Sequence, residues 1–204
     1  MAGYDEILSR YIPAQAVEDV LKLLYSANVQ LKITRNRNTK LGDYRAPFKV
    51  KYHKISVNHD LNPYHFLLTL IHEFAHLKTW EAYKNTVRPH GNEWKEEFKK
   101  LMLPFLTEDI YPKDLLLILK KYMSNPSAST SNVQLLQHLR KYDANNEYLT
   151  LADLPDNSIF RIQNGFVFQK LEKMRKRYKC RRMDNKKIYL VSPLIEVFPI
   201  EKSA

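Results

Sequence analysis

The strongest constraint in this sequence is an apolar segment that reads as a buried helix with two histidines on one face. The segment begins at Asn62-Pro63, an N-cap residue followed by a proline suited to the first helical turn. Apolar residues then occupy most faces as far as about Lys84. A helix of this kind is packed into a core and held rigidly, as a catalytic metal site requires.

Within this helix, residues 72–76 read His-Glu-Phe-Ala-His, which is an H-E-x-x-H motif. His72 and His76 are four residues apart, so their imidazoles leave the same helix face one turn apart. That spacing lets two ring nitrogens reach one tetrahedral Zn²⁺. Glu73 flanks the same position and is predicted to act as the catalytic base. Two histidines on a solvated face are the alternative, which the apolar surroundings disfavour.

A catalytic zinc needs a third protein ligand, and the sequence offers two kinds. His90 precedes a predicted helix beginning at Asn92, whose positive dipole end favours a neutral, ligating imidazole. The alternative is an acid on that helix, namely Glu93, Glu96 or Glu97. We favour His90, because lysines nearby offer the acids ordinary surface partners.

Composition removes several other kinds of site. Four glycines are present, and their positions form neither a dinucleotide-binding nor a P-loop pattern. The single cysteine, Cys180, excludes an internal disulfide, a cysteine zinc finger and an iron–sulfur site. A metal site in this chain therefore depends on His, Asp and Glu.

Charge and hydropathy indicate the partners and the compartment. The 33 Lys and Arg residues exceed the 22 Asp and Glu residues, giving a net charge of +11 and favouring an anionic partner such as DNA or RNA. No apolar run approaches the length of a membrane span, and the first residues lack an apolar signal region. We therefore expect a cytoplasmic protein with no membrane partner.

The predicted fold class is α+β, in two domains joined by a linker. A small, mainly antiparallel sheet is expected beside the active-site helix, and a small β-rich domain is expected to follow. Its three strands are Val29–Arg35, Leu41–Ala46 and Lys49–Asn58. The predicted boundaries are 1–123 for the domain that contains the metal site, 124–147 for a linker with a short helix, and 148–204 for a basic β-rich module.

Several short motifs together resemble a known family. Lys40-Leu41-Gly42 with Arg45 is followed by a strand ending at Asn58, by the H-E-x-x-H helix, and by His90-Gly91 shortly before Trp94. This combination resembles the SprT-like zinc metallopeptidase family, which includes bacterial SprT proteins and Spartan-type domains, over about Tyr4–Leu106. The resemblance implies a zincin-like fold, Zn²⁺ as cofactor, His72, His76 and His90 as its ligands, and Glu73 as catalytic base.

The C-terminal part departs from that family. Many members end in a small zinc ribbon with several cysteines, whereas this chain has only Cys180. A metal-free basic module stands in its place. The segment Lys173–Arg182 reads as one strand with a single basic face, which we expect to contact nucleic-acid phosphates through Lys173, Arg175, Arg177, Lys179 and Arg181. A solvated edge strand protected by its charges is the alternative.

These observations lead to one functional prediction and one rival. The chain is expected to be a zinc metallopeptidase that hydrolyses protein substrates, and the resemblance implies DNA-associated proteins among them. The strand Lys49–Asn58 is expected to hold the substrate as an added strand. The rival is a non-catalytic, zinc-stabilised protein that binds nucleic acid through its basic module.

Overall fold

The chain divides into two units, residues 1–144 and 145–204. The structure is a computed structural model, and it describes residues 3–37, 40–127, 132–144 and 148–200. The elements of the first unit are α1 (Tyr4–Leu8), α2 (Val17–Ser26), β1 (Val29–Thr34), β2 (Gly42–Arg45), β3 (His53–Asn58), α3 (Pro63–Tyr83), α4 (Asn92–Met102), α5 (Lys113–Met123) and α6 (Val133–Arg140). Those of the second unit are β4 (Leu149–Thr150), β5 (Ile159–Arg161), β6 (Val167–Lys173), β7 (Tyr178–Arg182), β8 (Ile188–Val191) and β9 (Glu196–Ile200).

The α+β class is confirmed, but the first sheet is mixed rather than mainly antiparallel. Its order is β1-β3-β2, with β3 parallel to β1 and antiparallel to β2. The parallel pair arises because the chain passes from β1 to the edge strand β2 and then returns as β3 between them. The predicted strand Lys49–Asn58 forms only from His53, and as a central strand it has no free edge for a substrate.

The core of the first unit lies between one face of this sheet and the helices. Ile55 and Val57 of β3 are buried on that face, whereas Lys54 between them is exposed. Helix α3 is buried on nearly all sides by the sheet, α4 and the other helices. The opposite sheet face is polar, as expected for a sheet covered on one side.

Helix α6 belongs to the first unit rather than to a linker. Leu135 and Leu139 are fully buried in the same core as α3 and α5. The side chain of Asn62 donates hydrogen bonds to the Leu139 carbonyl at 2.8 Å and to Asp143 at 2.6 Å. The first unit therefore extends from the predicted boundary at residue 123 to residue 144, and residues 128–131 and 145–147 of the predicted linker lie outside the described part.

The second unit is the expected β-rich module, built as one antiparallel sheet of order β4-β9-β5-β6-β7-β8. Its small core includes Leu151, Phe160, Phe168, Cys180 and Val197. Gly165 turns the chain between β5 and β6 with a φ of 89°, and an Asn-Gly pair such as Asn164-Gly165 is typical of a tight hairpin turn. In neither unit does a helix of the described residues have the length and apolarity needed to cross a membrane.

Candidate metal centre

Helix α3 positions two of the candidate ligands and starts where the sequence predicts. The Asn62 side chain accepts a hydrogen bond from the His65 backbone N–H at 3.0 Å, and Pro63 occupies the first turn. Because the helix is packed on most faces, His72 and His76 have little freedom to turn away from each other. His72 is 8 % exposed and His76 is half-buried.

Three histidine side chains converge on one point. The Nε2 atom of His76 lies 3.2 Å from that of His72 and 3.0 Å from that of His90, and the remaining pair is 3.0 Å apart. Nitrogens bound to one tetrahedral Zn²⁺ at 2.0–2.1 Å are about 3.3–3.4 Å apart. The three lone pairs thus have the spacing of a metal-binding set, and the residues present fit Zn²⁺.

His90 comes to this point from the loop between α3 and α4. Its backbone has a φ of 59°, a left-handed conformation that is uncommon for a residue with a side chain. The Gly91 N–H bonds to the Arg88 carbonyl at 2.9 Å, and the Gly91 carbonyl accepts from Lys95 at 3.0 Å. A turn and the first turn of α4 therefore hold His90 in place.

Aromatic packing fixes the imidazoles from one side. Trp94 is fully buried, and its ring centroid lies 4.7 Å from those of His72 and His90 and 5.4 Å from that of His76. Phe98, one turn later on α4, lies 5.5 Å from His72. The Nδ1 atom of His72 is buried without a hydrogen-bond partner among the described residues, so packing rather than an acceptor sets that ring's orientation.

Burial keeps these imidazoles neutral, which is the form that binds a metal. It lowers the pKa of His72 to about 2 and that of His76 to about 4, and it also lowers the pKa of His90. Repulsion between neighbouring imidazoles adds to the shift at His72 and His76.

The acidic alternatives for the third ligand have other positions. On α4, the exposed Glu96 pairs with Lys99 at 2.9 Å, and the half-buried Glu97 pairs with Lys100 at 2.8 Å. Among the described residues, the cluster with metal-ligand spacing consists of His72, His76 and His90. Neither Glu73 nor Glu93 belongs to it.

Glu73 lies instead in a buried niche against the edge strand β2. It is 7 % exposed, and its carboxylate accepts a hydrogen bond from the Tyr44 backbone N–H. Burial raises its pKa to about 8, with Asp43 adding to the rise while Arg37 and Lys40 oppose it. A carboxylate with a raised pKa holds a proton more readily than an exposed one, as a general acid–base residue must.

Sequence reasoning missed a chain of polar side chains beside His76. The Tyr44 hydroxyl lies 2.9 Å from His53 Nδ1, and His53 Nε2 lies 3.8 Å from Glu81. The Tyr44 ring is nearly parallel to that of His76, with centroids 6.5 Å apart. Tyr44 alternates with Asp43 and Arg45 along β2, so its inward direction follows from strand periodicity once β2 is known to lie beside α3.

The predicted basic face of the second unit does not form on a single strand. The chain reverses at Met174–Arg177, where the Met174 N–H bonds to the Arg177 carbonyl at 2.7 Å, so Arg175 and Arg177 lie in the turn. Lys173 pairs with Tyr178 and shares its face, whereas Lys179 and Arg181 lie on the opposite face of β7. This turn contains none of the Gly, Asn or Pro residues that mark turns in a sequence.

Aromatic side chains of the second unit divide between core and surface. Phe168 is 5 % exposed and belongs to the core, whereas Phe166 and Tyr189 are 41 % and 38 % exposed. The Arg182 guanidinium lies 3.5 Å from the centroid of the Phe166 ring. An exposed aromatic ring with a stacked guanidinium is present on the surface of this unit.

Comparison with known protein families gives a match, which lies within the first unit. Residues 14–109 match the model of the SprT-like family. No curated protein and no solved structure matches the chain. The matched range contains β1 to β3, α3 and α4, and with them all three clustered histidines and Glu73. Residues 14–109 of the chain are therefore similar to the SprT-like family.

Proposed function

We propose that the protein is a zinc-dependent metallopeptidase with a zincin-like active site. The observation that carries the proposal is the convergence of three neutral histidine nitrogens beside a buried glutamate. His72, His76 and His90 would hold the ion, and Glu73 would serve as the base. A bound Zn²⁺ supplies Lewis-acid chemistry, which polarises the scissile carbonyl and lowers the pKa of water.

The chain's own residues supply the proton transfers. A carboxylate oxygen of Glu73 takes a proton from the attacking water and passes it to the nitrogen of the departing amine. The Tyr44 N–H anchors that carboxylate, and the surrounding niche excludes bulk water from it. Trp94 and Phe98 hold the histidine rings in fixed directions, which limits reorganisation during turnover.

Strand β2 provides the sheet edge next to Glu73. It occupies the end of the β1-β3-β2 order, and its Gly42 and Tyr44 lie against α3. An extended peptide that pairs with this edge would pass the glutamate with its backbone aligned. We therefore assign substrate pairing to β2 and not to the central strand β3.

The decisive experiment compares wild type with Glu73→Gln. Both proteins are expected to retain about one zinc ion per chain by elemental analysis, because Glu73 is outside the ligand cluster. Wild type should cleave an unfolded, fluorescently labelled protein, and the variant should lose that cleavage because an amide does not accept the proton. Equal behaviour of the two zinc-loaded proteins in every assay would favour the rival, a non-catalytic zinc-stabilised protein.

For the second unit we propose contact with nucleic acid. The support comes from exposed cations on the β6–β7 hairpin and from the exposed rings of Phe166 and Tyr189. The Arg182 guanidinium lies over the Phe166 ring. Basic side chains neutralise phosphates, and exposed aromatic rings stack on unpaired bases. DNA-associated proteins are then the substrate class that such a partner would bring to the first unit.

A further inference from the structure

A cavity of about 350 Å³ opens beside the histidine cluster. It lies between β2, the last turns of α3 and the loop that carries His90, and His76 forms part of its wall. This volume is at the lower end of ligand pockets, so it suits one side chain rather than a folded segment. A side chain entering it would lie next to the bond held at the metal.

The walls of the cavity are aromatic. Tyr44, Trp80 and Trp94 line it. The indole N–H groups of both tryptophans are buried and have no acceptor among the described residues. Because these N–H groups are closed to solvent, a ligand in the cavity meets the aromatic rings and not the N–H groups. The walls therefore favour the apolar methylene stem of a substrate side chain.

The rim of the cavity is positively charged. Lys84 and Arg88 line it, and no Asp or Glu occurs among its described lining residues. The Lys84 ammonium lies 4.1 Å from the centroid of the Trp80 ring, and its backbone N–H bonds to the Trp80 carbonyl at 2.7 Å. Arg88 is held by the turn that its carbonyl closes with Gly91. The nearby acid Glu81 is engaged by Lys78 at 2.9 Å.

We propose that this cavity is a specificity pocket for an acidic substrate side chain. A Glu or Asp flanking the scissile bond would place its methylene groups between the aromatic walls and its carboxylate at Lys84 and Arg88. The inference rests on the proposed peptidase function, which it deepens by naming a substrate preference. Recognition of the acidic side chain is assigned to three residues that have no role in the proposed catalysis, namely Trp80, Lys84 and Arg88.

The chain carries its own probe of this cavity. Its only two tryptophans are Trp80 and Trp94, and both line the pocket. Intrinsic fluorescence therefore reports occupancy without requiring turnover. The test uses the full-length, zinc-loaded Glu73→Gln protein and a set of otherwise identical peptides with Glu, Gln or Phe on either side of a central Ala-Ala bond.

The Glu peptide should perturb the fluorescence and bind about fivefold more tightly than the Gln peptide, the effect of one partly exposed ionic contact. Reversing the rim charges with Lys84→Glu and Arg88→Glu should abolish or invert that preference. A matched control is Lys32→Glu with Lys54→Glu, because these two exposed lysines lie on the polar sheet face away from α3. This control should keep the preference.

Equal binding of Glu and Gln peptides, no binding of any peptide, tighter binding of the Phe peptide, or a preference that survives rim-charge reversal would each overturn the inference. Cleavage by wild type separates this result from the peptidase proposal. Cleavage without a Glu preference contradicts the pocket alone. Selective binding of Glu peptides without wild-type cleavage contradicts the peptidase proposal and leaves the pocket standing.

Discussion

Gly42 and Glu73 are packed so closely that a methyl group on Gly42 would lie 2.4 Å from the Glu73 Oε1 atom and 2.8 Å from its Cγ. The glycine of the Lys40-Leu41-Gly42 motif therefore has a steric role, since it leaves room for the glutamate beside the edge strand. Its backbone conformation is not the reason, because its φ is not in the left-handed region.

We expect Gly42→Ala to displace Glu73 and reduce hydrolysis while zinc remains bound. The added methyl group should also destabilise the fold by about 1–3 kcal/mol, as overpacking does. Thermal unfolding, zinc content and cleavage rate measure the three effects. In a Glu73→Ala background the same substitution should cost less stability, with the remaining cost due to the Thr69 Cγ2 atom, which lies 2.8 Å from the added methyl group. An equal cost in both backgrounds would mean that Glu73 does not compete with the methyl group for space.

Removal of any one of the clustered histidines should release the metal. His90→Ala is expected to weaken zinc binding about as much as His76→Ala, because each substitution removes one of the three protein ligands of the ion. Glu96→Ala is the matched control on α4 and should keep its zinc. Competition with a chromogenic chelator gives the affinities. Loss of zinc from the Glu96 variant together with retention in the His90 variant would assign the third ligand to the acid.

Stability of the zinc-free protein should fall as the pH is lowered from 6.5 to 5. Burial lowers the pKa of His65 and of His76 to about 4 and that of His72 to about 2, whereas in the unfolded chain these groups take up protons near 6.5. Protons therefore bind preferentially to the unfolded state in this range, which disfavours folding.

Glu73 has the opposite effect on the pH dependence of stability. Its raised pKa of about 8 means that the folded state keeps a proton that the unfolded chain loses above about 4.5. Three histidines outweigh one carboxyl group below pH 6.5, but between 6.5 and 8 the Glu73 contribution should make stability decline. Melting temperatures measured from pH 5 to pH 8 test both the loss of stability below pH 6.5 and the decline above it. Glu73→Gln should reduce the decline between pH 6.5 and 8, and an unchanged decline would show that another group titrates there.

Binding of nucleic acid should depend on salt through the cations of the β6–β7 hairpin. Lys179 is partly engaged by Glu172 at 2.7 Å, which leaves about four cations free for phosphates. The slope of log affinity against log salt should be about −4 on duplex DNA, at roughly −0.9 per phosphate. Reversing Arg175, Arg177 and Arg181 to Glu should flatten it. The reversal should leave zinc content unchanged, because the histidine cluster belongs to the other unit.

A protein without measurable affinity for DNA or RNA at roughly 50 mM salt would contradict this second proposal, since low salt favours such binding most. Stacking has a separate test. Phe166→Ala and Tyr189→Ala should weaken binding to single strands more than to duplexes, because unpaired bases stack on exposed rings. Phe168 is an unsuitable control because it is buried, so Tyr25→Ala, which changes an exposed aromatic residue of α2 in the first unit, serves that purpose.

Local sequence signals determined helix α3, which contains part of the candidate metal centre, and also the residues that form this centre. The Asn62-Pro63 start and the i, i+4 spacing of His72 and His76 depend only on backbone geometry within one helix, so they are readable without a fold. His90 was also reached from sequence, through its place before α4. The β-rich character of the second unit was likewise predictable from sequence.

Tertiary structure alone decided the features that depend on contacts between distant segments. The strand order β1-β3-β2 leaves β2, and not β3, at the edge, and no periodicity within a strand encodes its neighbours. The pairing of Tyr44 with His53, the niche for Glu73 under Gly42 and the cavity between Trp80 and Trp94 all arise where β2 meets α3 and α4. The turn at Met174–Arg177, which contains no Gly, Asn or Pro, divides the basic segment. Side-chain alternation along a single strand would have kept its cations on one face. Side-chain patterns report which face of an element is buried, but the partner that buries it is set by packing of the whole chain.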